Sequence, residues 1–215
     1  MGFEFYHNHE MSVFANLIPS NGQFLETGVC TGNSANLMLE HLKSANFSAY
    51  FGFDSFIGLP APRNEWISPD WHEGSFDAVE HFKAASVDDV KTIIHNLLDP
   101  HGVPITLIDG WYSDTLNQDT IKKFGINKAS YVNIDVDYYS STIEVLDFLF
   151  KYDLLMENTV IRYDDWLSGP EWQTCNSKAH LEKINEYGIL FNRIGTNVFQ
   201  YIGKTKDFSF GNSIT

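Results

Sequence analysis

Five short apolar runs, each leading into or away from a helix-like stretch, constrain this 215-residue chain more than any other feature. The runs fall at Gln23–Glu26, Tyr50–Asp54, Ile105–Asp109, Tyr131–Asp135 and Thr159–Tyr163. Helical spacing fills the intervals at Ser34–Leu42, Val87–Leu98, Leu116–Phe124 and Ser141–Phe150. Apolar runs this short, alternating with helices, read as buried strands of a parallel sheet. The alternation predicts an α/β layer fold. A further helix is predicted over Lys178–Tyr187. The following "ILFNRIGTNVFQYIG" carries two β-rich runs around Gly195-Thr196, which reads as a hairpin. The expected sheet therefore has seven strands, mostly parallel, and closes on an antiparallel C-terminal hairpin. The length suits one sizeable core, so residues 1–215 are expected to form a single domain.

One segment breaks the alternation. Ile57 to Ala85, "IGLPAPRNEWISPDWHEGSFDAVEHFKAA", is long and rich in Pro and aromatic residues. Long connections in compact domains are commonly functional lids. With Trp66, Trp71, Phe76 and Phe82 the segment is too apolar to be simply disordered; a lid-like insertion at about 57–85 is expected, with a surface excursion over a small satellite core as the alternative.

The formal net charge is −14. Such a chain repels phosphate backbones and anionic lipid, which argues against nucleic acid and membrane surfaces as partners. The two cysteines, Cys30 and Cys175, do not suggest a structural disulfide, and the usage fits a reducing compartment. No secretory signal is legible at the N-terminus and no apolar stretch reaches membrane-spanning length, so the expected location is cytoplasmic.

The first strand runs into "FLETGVCTGNSANLM". In an open parallel sheet, ligands sit beyond the carboxyl ends of the strands, where the strand order reverses. Gly28 and Gly32 occupy that place. They allow close backbone approach to a ligand, and the next helix offers free N–H groups. The spacing is G-x-x-x-G, not the dinucleotide pattern G-x-G-x-x-G. Glu26, two residues before the first glycine, would repel a pyrophosphate. Both features favour S-adenosylmethionine, with its sulfonium and amino group, over NAD. The second strand ends at Asp54, placed for ribose hydroxyls. The third ends in "TLIDGW", where Asp109, Gly110 and Trp111 are placed to border an adenine.

The fourth strand ends in "YVNIDVDYYSST" and the fifth in "VIRYDDWLSG". If the two strands are neighbours, they lie roughly 5 Å apart, and Asp135, Asp137, Asp164 and Asp165 crowd one corner. Like charges that close require a cation or raised pKa values. An all-oxygen set suits Mg²⁺. Asp135, Asp164 and Asp165 are the expected ligands, although spacing alone does not decide between Asp135 and Asp137. A metal beside a sulfonium donor points to methyl transfer to a hydroxyl, which needs a base. The candidates are Asp137, His72 in the expected lid, and the pair Glu80–His81.

Four blocks carry a family resemblance: "ETGVCTGNSA", "GFDSFIGLPAP", "GWYSDTL", and "NIDVDYYSSTIEVLDFL" followed by "YDDW". From about Gln23 to Trp166 the chain resembles the macrocin O-methyltransferase family, which methylates sugar hydroxyls on macrolides and related products. The resemblance implies a class I methyltransferase (Rossmann-like) fold, S-adenosylmethionine as donor, S-adenosylhomocysteine as product, and a Mg²⁺ requirement. It implies donor contacts at Glu26, Gly28 and Ser34, with Thr27 and Gly32 in the same loop, and places Asp54 and Ser55 at the ribose. It places Asp135, Asp164 and Asp165 at the metal, with a small-molecule or glycan hydroxyl beside them, and leaves homo-oligomer formation open. Two local departures stand out. "MENTV" replaces the usual Gly-Gly turn before the fifth strand. Arg162-Tyr163 stands where apolar residues are expected before the paired acids.

The competing reading is a metal-dependent hydrolase or phosphoesterase using the same carboxylates. It calls for basic residues near the metal to receive phosphate charge, and only Arg162 is close in sequence. A nicotinamide oxidoreductase is disfavoured by the glycine spacing and by Glu26.

Overall fold

The computed structural model of the chain describes residue 11 and residues 14–63, 65, 67–69, 71–166 and 176–205. Trp66 and Cys175 lie outside the described residues. The strands are β1 (Gln23–Thr27), β2 (Ala49–Asp54), β3 (Ile105–Asp109), β4 (Ala129–Ile134), β5 (Leu155–Tyr163), β6 (Ile189–Arg193) and β7 (Val198–Lys204). The helices are α1 (Asn33–His41), α2 (Ala78–Phe82), α3 (Val87–Leu98), α4 (Tyr112–Thr115), α5 (Gln118–Phe124), α6 (Tyr139–Lys151) and α7 (Asn176–Tyr187).

The sheet order is β3-β2-β1-β4-β5-β7-β6. The first five strands are parallel, and β7 runs antiparallel to both β5 and β6. The C-terminal hairpin thus docks by its second strand, with β7 between β5 and β6. The chain leaves β1 toward β2 and β3, then returns to place β4 on the other side of β1. The order reverses between β1 and β4, which opens a crevice at their carboxyl ends.

Period-two alternation sorts the strand residues into two layers. Leu25, Phe51, Val132 and Ile161 pack with Val145, Leu146 and Leu149 of α6 and Ala179 of α7. Their chain neighbours Phe24, Tyr50, Tyr131 and Val160 pack with Met38 and Leu39 of α1 and Val90 and Ile94 of α3. The high aromatic content serves this second layer: the Phe24 ring lies 4.9 Å from Tyr50 and 5.0 Å from Tyr131.

Two helical segments differ from the sequence-based expectation. The single helix expected over Leu116–Phe124 is broken into α4 and α5. Leu116 closes α4, and the Asn117 side chain accepts from the N–H groups of Asp119 and Thr120, starting a new helix. The segment expected as lid carries a short helix of its own, α2, capped by Asp77. No helix among the described residues is long and apolar enough to cross a membrane.

Candidate functional site

At the crevice between β1 and β4 lies a cavity of about 390 Å³. Its floor is the loop after β1. Gly28 takes φ +85°, and a Cβ there would run into the Asp135 carbonyl oxygen, so the loop after β1 and the loop after β4 can close on each other only with glycine at this place. Gly32 takes φ +77° as the N-cap of α1, with no side chain capping the helix and no acid in its first turn. Asn33 and Ser34 at that helix start line the cavity, where unsatisfied N–H groups favour a polar or anionic ligand group.

Asp54, at the end of β2, is pinned by backbone. It accepts from the N–H of Cys30 and of Phe56, both at 2.7 Å. Burial pushes its carboxyl above the ordinary range, against these hydrogen bonds. Ser55 lines the cavity too, its hydroxyl donating to the Gly58 carbonyl at 2.8 Å. Trp111, after β3, forms part of the wall.

The opposite corner is acidic, and Asp135, Asp137, Asp164 and Asp165 all line the cavity. Neighbouring strands β4 and β5 bring them together, with Ile134 opposite Tyr163 in the register. Asp135, Asp164 and Asp165 can each offer an oxygen such that all three lie within 4.8 Å of one another. Burial and the charges of Asp164 and Asp165 hold the Asp135 carboxyl well above its usual range. Asp137 is pushed up to about 7, by burial first and then by Asp165. Three carboxylates form a hard, all-oxygen donor set, and this separation fits a small divalent ion after slight side-chain rotation. Asp135 belongs to this three-acid cluster, while Asp137 lines the cavity outside it.

The segment after β2 contributes to the cavity wall through Leu59, Pro60, Trp71 and Phe76. Two polar contacts tie this segment to α6. Glu65 accepts from the Ser140 N–H at 2.7 Å and from its hydroxyl at 2.6 Å, and so caps the helix from a distance in sequence. Arg63 pairs with Glu144.

Several expected site residues lie elsewhere. Glu26 is fully buried under the glycine loop. Its carboxylate accepts from Ser34 Oγ at 2.9 Å, Asn133 Nδ2 at 2.9 Å and Tyr50 Oη at 2.5 Å. Thr27 is buried in β1, its carbonyl receiving the Asp135 N–H at 2.9 Å. Neither lines the cavity, and both support the loops that do. Asp109 turns outward and pairs with Lys91 of α3, which holds its carboxyl below the ordinary range. Gly110 donates its N–H to the Asp54 carbonyl at 3.0 Å and is a backbone brace. His72 is exposed and does not line the cavity; its Nδ1 lies 3.0 Å from the Glu73 carbonyl oxygen. Glu80 and His81 sit on α2, away from the cavity lining, with the His81 ring against Phe82.

Two contributors escaped the sequence reading. Asn176, the first residue of α7, donates from Nδ2 to the Val136 carbonyl at 3.0 Å and to Thr142 Oγ1 at 2.8 Å. It therefore braces the loop between Asp135 and Asp137. Cys30 sits in the glycine loop at φ +47°, its thiol 3.6 Å from the Phe76 carbonyl oxygen and pushed up to about 12 by burial and by Asp54. It is a neutral wall residue. No local pattern marks either one.

This sheet order, with the glycine loop and the acids at its switch point, defines a class I methyltransferase-type fold. The family profile described as macrocin-O-methyltransferase (TylF) matches residues 5–186, and the chain belongs to that family. Among solved structures, the calicheamicin methyltransferase CalS11 is similar with a TM-score of 0.70 and 17% identity, over 94% of this chain and 80% of that one. The O-methyltransferase NovP has a TM-score of 0.60 and 21% identity, over 94% and 79%. The O-methyltransferase TomG from Streptomyces achromogenes, solved in complex with SAM, has a TM-score of 0.55 and 12% identity, over 92% and 80%. At these identities the likeness is one of fold. No curated protein sequence matches the chain.

Proposed function

We propose that this chain is an S-adenosylmethionine-dependent O-methyltransferase that uses a divalent cation, Mg²⁺ foremost, and acts on a hydroxyl of a sugar or other small natural product. One observation carries the proposal: a single cavity joins the glycine loop, Asp54 and the three-acid cluster. Family membership and the fold shared with CalS11, NovP and TomG support it.

S-adenosylmethionine supplies an activated methyl group, and a cation held by Asp135, Asp164 and Asp165 would acidify and fix a hydroxyl beside it. The chain's own residues do the rest. The backbone at Gly28 and the start of α1 receive the donor's polar end, and Asp54 takes ribose hydroxyls. Glu26 acts from below, holding Ser34 and the loop. Asp137, on the cavity wall beside the cluster, receives the acceptor's proton as general base. Trp71, Phe76 and Trp111 offer flat faces to sugar or adenine rings. The segment after β2, tied down by Glu65 and Arg63, keeps water out and fixes the acceptor near the donor. In this reading residues 1–215 act as one domain with the segment at about 57–85 as its lid.

The hydrolase reading gains nothing from the cavity. Arg63, the basic residue of its lining, is held by Glu144. The test is transfer of labelled methyl from S-adenosylmethionine to a panel of sugars, glycosides and phenols, with Mg²⁺ or with chelator. Transfer that needs the cation and disappears in Asp164→Asn is expected. Phosphate or ester hydrolysis by the same acids, with no methyl transfer, would overturn the proposal.

A further inference from the structure

Arg162 has no role in the reaction described above, yet it is among the most buried charges of the molecule, 2% exposed. It occupies a position where the family pattern leads one to expect an apolar residue. Its surroundings form a polar rung across the sheet. Glu26 of β1 is the register partner of Asn133 in β4, and Asn133 is the register partner of Arg162 in β5. Side chains follow the same line. Asn133 Nδ2 donates to Glu26, Arg162 Nη1 donates to Asn133 Oδ1 at 3.1 Å, and Arg162 Nη2 donates to Asp164 Oδ1 at 2.8 Å. The rung ends in the acid corner.

We propose that Arg162 is a built-in counter-cation of that corner, holding Asp164 in the free protein and competing with a divalent ion for the same cluster. The inference rests on the reading of Asp135, Asp164 and Asp165 as cation ligands. Three carboxylates within 4.8 Å of one another repel when ionised, and a positive charge beside them offsets that repulsion. A guanidinium fixed by both Asn133 and Asp164 supplies it permanently. Burial and the Asn133 bond keep the guanidinium from swinging away, so an arriving ion binds beside a fixed like charge. Two consequences follow. The corner stays assembled without an ion, and an ion binds weakly and exchanges readily. Taking the charge away harms the free state more than the ion-bound state, because the ion brings its own two charges. By linkage the ion affinity must then rise.

The test is calorimetric titration of Mn²⁺ and Mg²⁺ into the full chain, with melting followed at saturating ion and with chelator. Arg162→Met is expected to bind Mn²⁺ at least about tenfold more tightly than the wild type, and to gain more melting temperature from the ion. Folding only in the presence of the ion would be the same result in a stronger form. Arg162→Lys keeps the charge without the fork, and its affinity is expected to stay within about threefold of wild type. Equal or weaker binding by Arg162→Met overturns the inference. So does a tenfold loss in Arg162→Lys, which would make Arg162 a strut that orients Asp164; this second variant decides the matter if Arg162→Met does not fold under any condition. Asp135→Asn reports on the underlying reading separately and is expected to lose ion binding. If wild type and every variant fail to bind either ion, the cation site and this inference fall together; if the wild type binds and only the Arg162 results depart, the inference falls alone.

Discussion

Glu26→Gln is the substitution whose outcome the structure fixes most closely. Burial pushes the Glu26 carboxyl from an ordinary 4.5 up to about 7, against hydrogen bonds from Tyr50, Asn133 and Ser34 and the charge of Arg162. A carboxyl with a raised pKa binds more protons folded than unfolded over this window. Its favourable contribution is fully present below pH 4.5 and is lost as pH rises through 7. Integrating from 4.5 to 7 at about 1.36 kcal/mol per pH unit gives a loss of about 3 kcal/mol by pH 8. Gln cannot ionise, so the variant escapes that loss. Its oxygen can accept from Ser34 and Asn133, which both bond Oε1, while its amide donates to the Tyr50 oxygen, reversing the bond that the hydroxyl makes to the carboxylate, as a protonated Glu26 would. Urea unfolding of both proteins between pH 4 and 8 measures the difference, and titration of groups beyond the reach of the Glu26 charge cancels in it. The variant should match wild type near pH 4 and exceed it by about 3 kcal/mol at pH 8. A variant less stable than wild type at pH 8 would refute the reasoning. It would mean that the three donors and Arg162 hold a carboxylate strongly enough to outweigh burial.

The other predictions concern the site. Asp54→Ala should weaken S-adenosylhomocysteine binding at least about tenfold in a calorimetric titration, since it removes the carboxylate proposed to take the ribose hydroxyls. Gly28→Ala should lower thermal stability by at least about 2 kcal/mol and abolish donor binding, because both its φ of +85° and the Asp135 carbonyl forbid a Cβ. Asp137→Asn should cut methyl transfer at least about a hundredfold while leaving product affinity within about twofold. His72→Ala should keep methyl transfer within about twofold, since the ring is exposed and outside the cavity lining.

Much of the fold was written in the periodicity of the chain. The run Ile105–Asp109 and the helix Val87–Leu98 appear with the ends read from sequence. Strand β5 begins earlier than expected, at Leu155: Leu155 pairs with Ala129, the polar "MEN" then bulges out of the ladder with Asn158 at φ +65°, and pairing resumes at Val160, where the run begins to look like a strand. The glycine loop and the paired acids were legible because their chemistry is local: glycines that must take positive φ, and acids at adjacent strand ends. What sequence could not give is the direction of a side chain at a strand end. Asp54 and Asp109 are register partners, yet Asp54 turns to the glycine loop and Asp109 to Lys91 of a neighbouring helix. Glu26 looked like a ligand contact and is a buried support, because its partners Tyr50 and Asn133 come from strands far along the chain. Glu65 capping α6 and Asn176 bracing the Asp135–Asp137 loop are equally non-local, spanning 75 and 40 residues.

The most direct test of the central claim is calorimetric titration of S-adenosylhomocysteine into the full chain, with NAD as control, each with and without Mg²⁺. A cavity built from the glycine loop, Asp54 and the acid cluster should bind the methyltransferase product tightly and leave NAD unbound. Binding of NAD, or no binding of the homocysteine product under either condition, would contradict it.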